Sequence, residues 1–271
     1  MSRGGKMNPI LSLEKILLGL ILSVGLLLND AHGSEDFTFY TYHKKPPYTF
    51  VGQTKQSHTL EQKGLYQAYV DYLNTRQDGL QIKLKFIPRL RLESQLRSGE
   101  LDGAIIGVNP LWFNDKGEVD YLWSAAFMQD QDVIVVRAGG AFPYAKPVDL
   151  VGRLLALPRG GYFWGVSELK AAGKIQVFET NTERQNLEML ALGRVHATIM
   201  SMLSARYFFN HDLKHSKFEI LDTPHDTFAR RVLFPQYLKA RYQRLAAIIK
   251  ESINDPLWKE ELARWHNPQH L

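Results

Sequence analysis

The side chains in this sequence that could act in catalysis or bind a metal form no recognisable motif. None of the nine histidines belongs to an HExxH pattern, in which one helix face presents two ligands to zinc. His211 and His215 are four residues apart, a spacing that suits a shared helix face but also a polar surface turn. The absence of cysteine excludes disulfides, thiolate ligands and a cysteine nucleophile. We therefore predict no metal and no cofactor.

Carboxylates are the remaining candidates for catalysis. Glu168, Glu179 and Glu183 fall in one part of the chain, and an acid–base mechanism would need one of them positioned on a substrate. Glutamates on helices are usually solvated, and the chain has no GxSxG motif or phosphate-binding glycine loop. We predict no catalytic residue and a protein that is not an enzyme.

Aromatic, hydroxyl and amide side chains instead follow several predicted strands. Ligands of open α/β sheets bind at the carboxyl ends of strands, where aromatic rings supply walls and polar groups supply direction. Arg159 precedes two glycines and a predicted helix, a place that favours an anion, although an exposed arginine is the alternative. Arg89 and Arg91 are expected to face solvent. The predicted ligand-binding residues are Tyr42, Tyr48, Asn109, Trp112, Arg159, Gly161, Tyr162, Thr180 and Ser201.

The elements that would position these residues form two α/β units in series. Alternating or apolar runs predict strands at 37–42, 82–86, 101–108 and 132–137, with helices at 64–74 and 90–97 between them. The pattern then restarts, with strands at 154–157, 175–178 and 197–200 and helices at 163–172 and 182–192. A strand at 231–234 and helices at 236–254 and 257–265 complete the chain. Two such units predict two lobes.

The N-terminal residues predict export. Arg3, Lys6 and Lys15 precede the apolar run 16–28 and the small residues around His32, so we expect a signal peptide over 1–33 with cleavage after Gly33. The alternative, a retained anchor, would span only about 20 Å of a roughly 30 Å hydrocarbon core. Either Met1 or Met7 fits the start. Without cysteine there is no lipidated anchor, so the predicted location is the periplasm.

Several segments, in order, resemble the family 3 extracellular solute-binding proteins, the periplasmic components of ABC importers for amino acids and related solutes. They are Pro46-Pro47-Tyr48-Thr49-Phe50, Gly64-Leu65, 96–103, 121–124, 149–152, Arg159-Gly160-Gly161-Tyr162, Leu257-Trp258 and Trp265. The likeness extends over nearly the whole chain after residue 33.

The resemblance implies an α/β protein with the type II periplasmic binding protein fold, two α/β lobes joined by a two-segment hinge. Lobe one would comprise 36–128 plus 226–271, and lobe two, inserted in it, 132–218. Such proteins close around a small polar solute and present it to an ABC transporter permease. The resemblance also implies a monomer, and nothing suggests a nucleic-acid face at a net charge of +5.

Two positions depart from the family pattern. Family members that bind α-amino acids hold the carboxylate with an arginine, which aligns at or near Asn114, and the ammonium with an aspartate, which aligns with Ser201. A buried charge without a counter-charge costs several kcal/mol. We therefore expect a solute other than a standard α-amino acid, unless Arg159 supplies the cation. The alternatives are a dehydratase-like enzyme of the same fold and a ligand-presenting partner of a sensor.

Overall fold

The computed structural model describes residues 34–53, 60–211 and 217–267. The predicted signal peptide and His215 lie outside these ranges. The fold described below belongs to the compact unit Asp36–Leu271. Its strands are β1 (Glu35–Thr41), β2 (Phe50–Gln53), β3 (Leu60–Lys63), β4 (Leu80–Phe86), β5 (Gly103–Val108), β6 (Leu122–Trp123), β7 (Met128–Arg137), β8 (Leu154–Pro158), β9 (Gln176–Thr180), β10 (Ala197–Ser201), β11 (Phe218–Ile220) and β12 (Asp226–Phe234).

Seven α-helices pack around these strands within the described ranges. They are α1 (Leu65–Asn74), α2 (Arg89–Ser98), α3 (Val166–Ala171), α4 (Glu183–Ala191), α5 (Met202–His211), α6 (Lys239–Ser252) and α7 (Pro256–His266). Helix α1 shows how the sequence specifies packing, since Leu65, Tyr69 and Leu73 recur at intervals of four and are all buried. Gly64 precedes this helix with φ +121°, and a Cβ there would lie 2.5 Å from the Tyr48 carbonyl oxygen.

Eight strands form a continuous path in the order β4-β1-β5-β12-β7-β10-β8-β9, with β6 and β11 paired to its side. Strand β5 is buried at all six residues and pairs in parallel with β1, as its uninterrupted apolar composition predicts. In the other half, β8 lies parallel to β9 and β10. Each half therefore has the parallel core expected of an α/β unit.

Strands β7 and β12 connect the two lobes. The first five residues of β12 pair with β7, whereas Arg231 and the following residues pair with β5, and the register shifts after Arg231. One lobe contains β1, β4, β5 and β6, and the other contains β8 to β11. Two adjacent strands thus carry the chain between the lobes, which is the predicted two-segment connection.

The apolar cores follow this division. One set of buried residues combines Phe39, Leu73 and Ile106 with Ile249 and Trp258, so α6 and α7 return to the lobe that contains β1. Trp258 is fully buried, and its indole Nε1 donates a hydrogen bond of 2.7 Å to the Phe127 carbonyl. The other lobe has separate cores on the two faces of its strands. The C-terminal helices therefore belong to the first lobe.

The predicted elements differ from the structure mainly at their ends. The helix predicted at 163–172 is shorter, α3, because Gly165 adopts a left-handed φ of +71° immediately before it. The strand predicted at 231–234 begins five residues earlier, at Asp226. The helix predicted at 236–254 begins with a 3-10 turn at 236–238. The β2–β3 hairpin and helix α5 were not predicted.

Candidate functional site

A cavity of about 330 Å³ lies between the lobes at the carboxyl ends of the strands. Loops after β1, β4 and β5 line it from one side, and loops after β8 and β9 line it from the other. Residues of β7 and β12 complete the wall. This is the position at which open α/β sheets bind ligands, and the sequence pattern points to loops at the same strand ends.

The predicted site residues divide into two groups. Tyr42, Trp112, Arg159, Gly161 and Tyr162 line the cavity. The others do not, and the side chain of each makes at least one hydrogen bond within the protein. Contact of any of the nine with a solute stays a prediction.

The four residues outside the wall are all buried. The Tyr48 hydroxyl donates to the Asp130 carboxylate, and the Asn109 side chain accepts a 3.3 Å bond from the Trp112 amide. The Thr180 hydroxyl donates a 2.5 Å bond to the side-chain oxygen of Asn186. Ser201 accepts from the Ser204 amide at 3.3 Å. These side chains support the loops that reach the cavity.

Arg230 is the most deeply buried charge at the cavity, and sequence reasoning missed it. Its side chain is 1% exposed, and its Nε donates a 2.6 Å bond to Asp130. Its Nη1 donates to the Tyr66 hydroxyl at 3.0 Å and to the Gly107 carbonyl at 2.8 Å. Burial alone would lower the pKa of Arg230, but Tyr66, Tyr48 and Asp130 together hold it well above its usual value. The guanidinium is therefore a fixed, paired cation.

A second ion pair spans the cleft. Lys45 Nζ, in the loop after β1, lies 2.6 Å from Glu183 Oε1, at the start of α4. Glu183 is 4% exposed, so the expectation of a solvated glutamate is wrong for this residue. Among the described residues its second carboxylate oxygen has no hydrogen-bond partner. A further bond of 2.7 Å from Ser204 Oγ to the Pro46 carbonyl joins the same two sides.

Asp132 presents a carboxylate to the cavity from β7. It is 8% exposed and lies at the wall. Burial raises its pKa from 3.8 to about 7, with Lys45 and Arg230 opposing the shift and Asp130 and Glu183 adding to it. No described residue contributes a hydrogen bond to this carboxylate. Asp132 is thus an acid poised to change protonation near neutral pH.

Aromatic rings form much of the remaining wall. The rings are those of Tyr42, Phe86, Trp112, Tyr162, Phe163 and Phe228. Trp112 meets Phe228 edge to face at 4.9 Å between centroids, so rings from β12 and from the loop after β5 support each other.

Arg89 lies at this wall, so the expectation that it faces solvent is wrong. Its guanidinium lies 5.0 Å from the Tyr42 ring and donates to Glu93 at 2.7 Å and to the Trp112 carbonyl at 2.6 Å. Arg89 begins α2 directly after the carboxyl end of β4, and that end of the strand faces the cleft. Arg91, two residues on, is exposed as expected.

The two positions that depart from the family pattern do not reach the cavity. Asn114 ends the short 3-10 helix 110–113 in a left-handed conformation, and Ser201 is fully buried beneath the wall. The most deeply buried cation, Arg230, and the unpaired carboxylate of Asp132 come instead from β12 and β7. No sequence signal marked these strands as functional, since Asp130, Asp132 and Arg230 stand among other polar residues there.

Within the described ranges, no group of three or more His, Asp or Glu residues could hold a metal ion. Over the same part of the chain, the helices are all too short or too polar to cross a membrane.

Comparison with known proteins gives structural matches only. No family model and no curated protein matches the chain. An ancestral arginine-binding protein bound to arginine is 14% identical, with a TM-score of 0.67 over 86% of this chain and 98% of its own. The substrate binding protein of an amino acid ABC transporter is 18% identical, with a TM-score of 0.63 over 85% and 98%.

A histidine kinase sensor domain with similarity to periplasmic binding proteins is also similar, at 17% identity and a TM-score of 0.67 over 85% of this chain and 95% of its own. These likenesses agree with the resemblance to family 3 solute-binding proteins. At sequence identities this low, structural similarity establishes the fold alone. The chain has the type II periplasmic binding protein fold, two α/β lobes joined by a two-segment hinge.

Proposed function

We propose that this chain is a periplasmic solute-binding protein of the family 3 type, which captures a small polar solute between its lobes for an ABC importer. The observation that carries the proposal is the cavity itself, since loops from both lobes and both connecting strands build its wall. A site shared between two lobes couples binding to closure, because the solute contacts both halves only when they approach.

The proposal includes the lobe boundaries 36–128 plus 226–271 and 132–218. The separate cores support them. With the exception of Leu203, the buried residues of one set fall before 129 or after 231 and those of the other between 133 and 221. Leu203 of α5, which packs in the opposite lobe's core, is that exception among the described residues. The proposal also includes removal of residues 1–33 on export and a monomeric state.

The solute is proposed to be something other than a standard α-amino acid. The positions aligned with the usual arginine and aspartate bring no charge to the cavity, and the least exposed cations of its wall already have a carboxylate partner. Lys45 meets Glu183 at 2.6 Å, and Arg230 meets Asp130 at 2.6 Å. Arg159 lies 3.6 Å from a glutamate and is largely exposed. A carboxylate would therefore have to compete with the protein's own anions.

A thermal-shift screen of polar metabolites tests the proposal. A solute at about 100 times its dissociation constant adds roughly 2.7 kcal/mol to the free energy of unfolding. A hit should bind once per chain in calorimetry, reduce the radius of gyration in small-angle scattering, and be recovered unchanged. The absence of any hit, or loss of the compound beyond one equivalent, would contradict solute capture; the second result would indicate an enzyme.

A sensor role is the second candidate, because a histidine kinase sensor domain shares this fold over most of the chain. In that case the closed, loaded protein would bind the periplasmic part of a receptor. Pull-down with the loaded and the empty protein separates the two roles: an ABC permease is expected for import and a sensor kinase for signalling.

A further inference from the structure

We infer that the solute is an organic cation, that Asp132 holds its ammonium or guanidinium group, and that binding releases a proton from the Asp132 carboxyl. This inference rests on the proposed function and names the solute class of the same cavity. It uses a residue that neither the sequence pattern nor the resemblance singles out.

The first support is the balance of charges at the cavity wall. Three cations there have a close carboxylate partner: Lys45 with Glu183, Arg230 with Asp130, and Arg89 with Glu93. Asp132 alone among the buried wall charges of the described chain has no ion pair within 4 Å. A buried charge without a partner is costly. Among the buried charges of the wall, the uncompensated one is therefore negative, and a cation satisfies it; Lys44, which also lines the cavity, is exposed.

The second support is the chemical character of the other groups that line the cavity. Glu183 has one carboxylate oxygen without a hydrogen-bond partner, on the lobe opposite Lys45. The rings of Tyr42, Trp112 and Phe228 already pack against Arg89 or Arg230. Tyr162 and Phe163 line the same cavity with no cation of the described residues over their rings, and aromatic faces attract organic cations but not carboxylates. A cation at Asp132 would thus meet a second anion and an aromatic wall. An anion would meet, apart from the exposed Lys44, cations that already have a carboxylate partner.

The proton release follows from the groups around Asp132. Lys45 from the loop after β1, Asp130 from the same strand, Arg230 from β12 and Glu183 from α4 all act on it electrostatically. Buried His43, also at the wall, stays neutral because burial, and next Arg230, lowers its pKa well below the usual value. Asp132, with a pKa of about 7, is half protonated near neutral pH and must ionise to bind a cation.

The test is calorimetry with amine and amino-acid pairs that differ by one carboxylate: agmatine with arginine, and cadaverine with lysine. Choline, glucose and succinate complete the set, beside any hit from the polar-metabolite screen. We expect a cation to bind tightest and each amine to bind at least as tightly as its amino acid. The affinity of the tightest-binding cation should fall about thirtyfold from pH 8.5 to pH 5.5, since Asp132 becomes protonated. The heat should vary with buffer ionisation, reporting proton release.

Two variants separate Asp132 from its surroundings. Asp132→Asn should weaken the binding of the cation by about a hundredfold or more and abolish the pH dependence of its affinity. Asp226→Asn is the matched control, because Asp226 lies directly across from Asp132 on β12 but does not line the cavity. It should change the affinity less than threefold.

The outcomes distinguish this inference from the proposed function. A neutral or anionic solute as the tightest binder, an amino acid more than tenfold tighter than its amine, or full affinity in Asp132→Asn would overturn the inference while capture of a solute stands. If neither this set nor the metabolite screen yields any binder, both fail. Cation binding that depends on Asp132 and on pH supports both.

Discussion

Replacing Asp132 by asparagine should stabilise the empty protein, and by an amount that depends on pH. The carboxylate is buried at the cavity wall without a hydrogen-bond donor, and its pKa rises from 3.8 to about 7. An acid with a raised folded-state pKa favours the native state when protonated. This stability is fully present below the unfolded pKa and is lost as pH rises through the folded one.

The magnitude follows from the size of the shift. About three pKa units at 1.36 kcal/mol each correspond to a destabilisation of about 4 kcal/mol once the pH exceeds 7. At pH 5 the unfolded carboxyl is mostly ionised and the folded one is not, so only about 2 kcal/mol is lost. Asparagine is similar in shape and never ionises. The gain from Asp132→Asn should therefore grow by about 2 kcal/mol between pH 5 and pH 8.

Urea unfolding of the ligand-free protein at both pH values measures this difference. Asp222→Asn is the control, because Asp222 is exposed and its substitution should leave stability within about 0.5 kcal/mol at either pH. An equal effect of Asp132→Asn at pH 5 and pH 8, or a loss of stability at pH 8, would refute the reasoning. Such a result would mean that the empty protein already provides this carboxylate with a partner.

Three other substitutions test the site and its supports. Arg230→Met should lower the free energy of unfolding by about 3–5 kcal/mol in urea because Asp130 stays buried and charged; adding Asp130→Asn should restore most of the loss, and no recovery would contradict the pairing. Lys45→Met removes the ion pair across the cleft, which should reduce the free energy that favours the closed arrangement by about 1.5–3 kcal/mol. Small-angle scattering of the solute-free variant should show a larger radius of gyration. An unchanged radius would argue against a role of this pair in closure. Gly64→Ala should cost more than about 1–3 kcal/mol in thermal unfolding, because its Cβ would lie 2.5 Å from a backbone oxygen; Gly99→Ala, where no atom lies within 4 Å, is the control and should cost clearly less.

The element pattern was readable from the sequence because it is local. Leu65, Tyr69 and Leu73 repeat at helical spacing, and the apolar run that ends at Val108 predicts a strand buried on both faces. Both features depend only on neighbouring residues. The starts of β7 and β12 were missed because polar residues such as Gln129 and Thr227 interrupt the apolar pattern there.

The site was only partly readable. Trp112 and Tyr162 follow predicted strands, and the rule that ligands bind at strand ends places them at the cavity. Arg89 and Glu183 begin helices, where charged side chains are usually solvated. Arg89 instead packs on Tyr42 and the Trp112 carbonyl, and Glu183 meets Lys45 of the opposite lobe. Burial of that kind depends on contacts between residues far apart in sequence.

The sequence by itself determined the order of strands and helices, the division into two lobes and the loops that face the cleft, because hydrophobic periodicity and turn residues act over a few positions. Only the tertiary structure decided which charges share the cavity and which of them are paired. The reason is that β12 returns from the far end of the chain to lie beside β7, so Arg230 meets Asp130 across 100 residues. That meeting leaves Asp132 unpaired at the wall, and no spacing along the chain records it.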